Sequence, residues 1–137
     1  MGESVSRANR IAVAGRARHR CEYCLLHQED SFQSHEVDHI VSRKHRGDSS
    51  LTNLAYACAS CNAWKGTDIA GYSSEDGSLT PLFHPRRDRW EEHSRLLDGE
   101  IVPRTAIGET TARLLKLNLA GRISERLILA EAGRYPR

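Results

Sequence analysis

The chain has 137 residues, of which 39% are hydrophobic and 6% aromatic, so one domain with a modest core is expected, the kind that often leans on a bound metal. No apolar run approaches the roughly 18 residues of a spanning helix, and Met1-Gly2-Glu3-Ser4 does not open a charged-then-apolar leader, so a cytoplasmic setting without disulfides and without a membrane partner is expected. The net charge of +2 does not by itself indicate nucleic acid, but the basic residues cluster: Arg16, Arg18 and Arg20 around His19; Arg43, Lys44 and Arg46 around His45; and Arg86, Arg87 and Arg89.

In chain order, Val5 to Ala17 places Val5, Ala8, Ile11 and Ala12 near helical spacing, which predicts a short amphipathic helix capped by Ser4 or Ser6. Leu25 to His35 is polar and reads as a loop pinned by Phe32, with His27 and His35 as surface or supporting histidines. Glu36 to Val41 alternates as a strand, and a polar connection with Gly47-Asp48 leads to a returning strand, Leu54 to Ala57. Ser60 is placed to cap a short helix from Cys61 to near Gly66. Asp68 to Thr80 reads as a loop, and Pro81-Leu82-Phe83 as a return to the core. Asp98-Gly99 predicts a hairpin between Arg89–Leu97 and Glu100–Pro103, with Trp90, Leu96, Ile101 and Val102 inward. A helix follows over Thr105 to Leu117, interrupted at Asn118 and Gly121. A last helix, Ser124 to Ala132, carries Glu125 in its first turn and packs Ile123, Leu127, Ile128 and Ala130.

The chemistry concentrates at two C-x-x-C pairs, Cys21/Cys24 and Cys58/Cys61. One such pair has the spacing of a redox centre, whereas two in a reducing compartment point to a structural zinc on four thiolates. Between them lies Glu36-Val37-Asp38-His39-Ile40. A carboxylate suits a hard cation and an imidazole suits proton transfer. Adjacent strand residues point to opposite faces, so both can serve one site only if the strand bends or ends there.

The stretch Glu36-x-Asp38-His39-Ile40, then Asn53-Leu54, then Cys58-x-x-Cys61-Asn62-x-x-Lys65-Gly66 resembles the HNH endonuclease family. The resemblance covers about 21–66. It implies a small ββα-metal core over about 18–70, stapled by the four-cysteine zinc site; with the N-terminal helix and, over about 80–137, the C-terminal β-hairpin plus helices read above, the expected fold is α+β. It also implies metal-dependent hydrolysis of phosphodiester bonds in DNA, duplex or single-stranded. Carried over, His39 is the general base, Asp38 and Asn62 are ligands of a catalytic Mg²⁺ or Mn²⁺, and Asn53 braces the loop between the strands. Asn62 stands where many members have His, so the chain is an H-N-N variant. Arg18, Arg20, Arg43, Lys44 and Lys65 are candidate phosphate contacts, with solvated surface charge as the plain alternative. The competing function is a non-catalytic zinc ribbon that binds nucleic acid or protein.

Overall fold

The computed structural model describes residues 5–136. Ser4, one of the two candidate caps, lies outside them. Helix α1 is Arg7–Arg16, and Ser6 caps it by accepting from the Asn9 amide at 3.1 Å. A Ser cap of this type stabilises a helix by about 1 kcal/mol. Only Val13 of α1 is fully buried, packed with Val5, Leu54 and Tyr56 in a small cluster.

Strands β1 (Glu36–His39) and β2 (Leu54–Ala57) pair antiparallel, with Glu36 opposite Ala57 and His39 opposite Leu54. All four residues of β2 are buried, so it is the short apolar spine of the unit. Helix α2 (Ala59–Lys65) follows one residue later. Its cap is Cys58, not Ser60. The Cys58 backbone is extended, and its sulfur takes the Cys61 amide at 3.4 Å, so one side chain caps the helix and faces the other cysteines. Gly66 ends α2 at φ 51°.

Two further antiparallel hairpins lie beyond: β3 (Ala70–Tyr72) with β4 (Leu79–Pro81), and β5 (Ser94–Leu97) with β6 (Glu100–Pro103). The first corrects the expectation of a plain loop over Asp68 to Thr80. Its turn is tied by the Asp76 carboxylate, which accepts from the Ser78 amide and hydroxyl. A single helical turn, α3 (Trp90–His93), precedes β5. Helix α4 (Ala106–Leu114) is capped by Thr105, whose hydroxyl takes the Gly108 amide at 3.1 Å. Phe83 is anchored to α4 by its amide, which donates to the Thr111 hydroxyl at 2.8 Å.

Helix α5 (Ala120–Glu131) begins four residues earlier than expected and takes in Gly121. The reason is an inward arginine stripe. Arg122 donates to the carbonyls of Leu115 and Lys116 at the end of α4. One turn on, Arg126 is 1% exposed and donates to the carbonyls of Gly99 and Leu117 and to Asn118 Oδ1. Ile128, expected inside, is instead 67% exposed, and Glu125 falls past the first turn. Phe32, expected to pin its loop, is fully exposed, whereas His35 is buried, with Nε2 at 2.8 Å from the Leu26 carbonyl.

One buried cluster joins Cys21, Tyr23, Cys24, Cys58 and Cys61 to Ile40, Leu82, Phe83, Ile101 and Leu115. The C-terminal elements thus share their core with the cysteine knuckles. Tyr135 adds a strap by donating to the Cys24 carbonyl at 2.6 Å.

Arg126→Ala strands two buried carbonyls. The expected loss is about 2–4 kcal/mol of unfolding free energy, read by urea denaturation. A loss below about 0.5 kcal/mol shows that Arg126 does not hold the hairpin to α5.

Candidate active site

The site is assembled from the knuckles outward. The four sulfurs of Cys21, Cys24, Cys58 and Cys61 lie within 4.8 Å of one another, all buried. Among the described residues they are the one group of three or more Cys, His, Asp or Glu close enough to hold an ion. Four thiolates about 2.3 Å from a zinc ion at a tetrahedron's centre would stand about 3.8 Å apart. Cys24 and Cys58 sulfurs are 3.7 Å apart. The Cys21 sulfur accepts amides of Tyr23 and Cys24 at 3.4 Å. Arg122 brings a guanidinium nitrogen to 3.1 Å from the Cys61 sulfur. Burial works against its charge, but the thiolates of Cys61 and Cys24 outweigh burial and hold its pKa above the ordinary arginine value. The cluster could therefore hold a zinc ion and offsets part of its excess negative charge internally.

The knuckle also aims two side chains at the rest of the site. Glu22 accepts the Tyr56 amide at 2.8 Å, which locks the knuckle to β2, and forms an ion pair with Arg86. Tyr23, 1% exposed, donates its hydroxyl to Asp38 Oδ2 at 2.9 Å.

Asp38 is 5% exposed and faces α2. Lys65, at the end of α2, is 2% exposed; its Nζ lies 3.2 Å from Asp38 Oδ2 and donates to the His39 carbonyl, also at 3.2 Å. This corrects the reading of Lys65 as a phosphate contact: its charge is spent inside the protein. Burial raises the Asp38 pKa above the usual carboxylate range, while Lys65 and the Tyr23 hydroxyl pull it back down.

Glu36 shares the Asp38 face of β1, two residues away. Asn62 of α2 donates its amide to Glu36 Oε2 at 3.3 Å, which leaves the Asn62 carbonyl oxygen pointing away from that bond as a potential ligand. A hard, largely hydrated cation such as Mg²⁺ takes one or two protein oxygens and completes its shell with water and phosphate. The oxygens of Asp38 and Asn62 fit such an ion chemically, although Asp38 already carries Tyr23 and Lys65.

His39 is the last residue of β1, so the strand ends where the two functions diverge. Its ring turns away from Lys65 toward the connecting loop, with Nε2 2.9 Å from Ser49 Oγ. Asn53 holds that loop. Its Oδ1 accepts the Val41 amide at 2.9 Å, and its Nδ2 donates to the carbonyls of Val41 at 2.9 Å and Asp48 at 2.7 Å. The loop closes so tightly that a Cβ on Gly47 would stand 1.7 Å from the Val41 carbonyl oxygen, so only glycine fits there.

The basic candidates scatter. Arg20 donates to the carbonyls of Leu25 and Arg134, bracing the knuckle against the C-terminal segment. Arg18 is exposed in the turn closing α1, and Arg43 and Lys44 are exposed on a 3₁₀ turn of the loop. A different set lines a groove of about 460 Å³ beside the loop: Arg46, Arg86 and Arg87, with Asp48, Asn53 and His84. Tyr23, Glu22, Ser49 and Arg122 were not singled out from the sequence, and Arg86 only as one of a basic cluster. Nothing in local spacing distinguishes them, since each acts through a partner between 10 and 64 residues away.

The family described as HNH endonuclease matches residues 21–68, the segment that carries the knuckles, β1, the braced loop, β2 and α2. No curated protein and no solved structure matches the chain. The ββα arrangement and the four-cysteine cluster agree with the α+β, zinc-stapled core expected of that family.

Asn53→Ala removes three loop hydrogen bonds at once. The expected result is a loss of about 1–3 kcal/mol of global stability together with at least tenfold faster hydrogen exchange at the Val41 amide. Unchanged exchange at Val41 means the loop is held by other contacts.

Proposed function

From the match of residues 21–68 to HNH endonucleases, we propose that the protein is a divalent-cation-dependent nuclease that hydrolyses phosphodiester bonds in DNA, built on a structural zinc at Cys21, Cys24, Cys58 and Cys61. The observation that carries the reading is the divergence at the end of β1: a buried carboxylate on one side and an imidazole on a braced loop on the other, one residue apart.

His39 is the general base. In the tautomer that donates Nε2–H to Ser49 Oγ, 2.9 Å away, Nδ1 is left to take a proton from water. Asn53 keeps Val41 and Asp48 in place, so Ser49, next to Asp48, is presented to the ring at a constant distance. Asp38 and Asn62 would hold the cation, which supplies positive charge to the non-bridging and leaving oxygens of the phosphate. Lys65 and Tyr23 favour the ionised form of Asp38 against the cost of its burial. The closure of Asp38 by those two groups also supports a second reading, a zinc-ribbon module that binds nucleic acid without cutting it.

Three variants separate these roles. His39→Ala should fold, keep its zinc and bind DNA while cleavage of plasmid in Mg²⁺ or Mn²⁺ falls about 10²- to 10⁴-fold. Cleavage at the wild-type rate removes His39 from the chemistry, and no metal-dependent cleavage by the wild type leaves the binding module. Cys58→Ser should lose the roughly one zinc per chain found by elemental analysis and much of the fold, because binding of such an ion is folding free energy. A folded, zinc-free wild type with four reactive thiols contradicts the zinc assignment. Asp38→Ala should cut activity, with part of the loss returned by high cation concentration. EDTA-treated, zinc-retaining protein that still cleaves contradicts the catalytic cation.

A further inference from the structure

A second cavity, of about 240 Å³, opens directly behind the catalytic strand. Ile40, the residue after His39, forms one wall, and Ile69, Leu82 and Phe83 form others. Its size lies just below the roughly 300–1,000 Å³ of pockets for drug-sized ligands, which suits one ring system and not a peptide or a helix. It shares Val41, His84 and Arg87 with the basic groove that runs along the braced loop. A mostly apolar pocket with Phe83 on its wall, and with Lys65, Asp68 and Asp88 also lining it, thus opens onto a cationic track at three common residues, Val41, His84 and Arg87.

The charges on that track are set to receive an anion. Arg86 is part-buried and paired with Glu22, yet its buried Nε has no hydrogen-bond partner. Burial, and then the nearby charge of Arg16, lower its pKa to about 10. Arg46 and Arg87 are exposed. His84 accepts the Arg86 amide at Nδ1 (3.2 Å), so its neutral ring carries the proton on Nε2 and is a donor there. Burial and the charge of Arg87 lower its pKa, which favours that neutral form.

A nucleotide has this same pairing of properties: an anionic phosphate joined to a flat, largely apolar ring with polar edges. We propose that the pocket bounded by Ile40, Ile69, Leu82 and Phe83 receives one base unstacked from the DNA strand whose phosphates lie along Arg46, Arg86 and Arg87. This rests on the nuclease reading and adds to it. The segment Pro81–Arg87, outside the matched 21–68, becomes a substrate-contacting part of the protein, and the substrate becomes a strand with an accessible base: single-stranded, mismatched or distorted DNA. A base in this pocket also fixes the register of the strand relative to His39, one residue from its wall.

The test is an abasic scan in the His39→Ala protein with Mg²⁺ present. Oligonucleotides lacking one base at successive positions are compared for affinity, single-stranded and duplex. The expected result is that one position weakens binding about 5- to 150-fold, the range of a lost stacked base. Ile69 is 43% exposed at the pocket, so Ile69→Trp fills the space without disturbing the interior. It should abolish that position dependence while leaving the salt dependence of binding unchanged. Arg46→Ala with Arg87→Ala should do the reverse, reducing the salt slope by about two phosphates' worth. A flat scan, or a position dependence that persists in Ile69→Trp, overturns the base pocket. If the scan is flat and the wild type still cleaves, the pocket falls and the nuclease reading stands. If the scan is positive and the wild type does not cleave, hydrolysis falls and the pocket stands. If no DNA binds, both fall.

Discussion

Four sulfurs in one place tie the first knuckle to the start of α2, and the candidate site is built on that tie. Each knuckle alone is a short turn with no core of its own. Bringing Cys21 and Cys24 to Cys58 and Cys61 sets the first knuckle against the start of α2. The residues between the cysteines then become useful. Glu22 docks on the backbone of β2, and Tyr23 reaches Asp38. The knuckle is therefore both a staple and the far wall of the site.

The C-terminal region continues the same construction. Arg122 lays its guanidinium against the cysteines and ties the end of α4 at the same time. Arg86 joins Glu22 of the knuckle to the segment after Phe83, and Trp90 donates to the Tyr23 carbonyl. Residues outside the family match thus hold the knuckle from behind and border the groove in front. This arrangement explains why the buried core runs continuously from Cys21 to Leu115.

The short-range features were the legible ones. Each C-x-x-C knuckle, the hairpin at Asp98-Gly99 and the return strand at Leu54 all follow from chemistry within a few residues. Asn53 as a loop brace was legible only through the family resemblance, and the structure gives it three backbone hydrogen bonds. What could not be read locally was the fate of long cationic side chains. Lys65 has the sequence context of a surface lysine, and its burial depends on Asp38, 27 residues away. Arg126 looks like a polar position in an amphipathic helix, and only the fold places Gly99 and Leu117 carbonyls around it. The hairpin over 70–81 was hidden because its strands are three residues long, mostly polar or exposed, and separated by loop-forming residues.

Burial of Asp38 is the costly feature of the design. Removing a carboxylate from water raises its pKa and destabilises the charged form, which is the form that a cation or a phosphate-cleaving site needs. Two groups offset that cost, and they come from opposite ends of the matched segment: Tyr23 from the first knuckle and Lys65 from the end of α2. Both reach Asp38 from elements that carry cysteines: Tyr23 lies between Cys21 and Cys24, and Lys65 ends the helix that holds Cys61. The orientation of Asp38 beside His39 is thereby tied to the same elements that gather the four sulfurs. A metal ion held by that cluster would couple its binding free energy to the assembly of these elements.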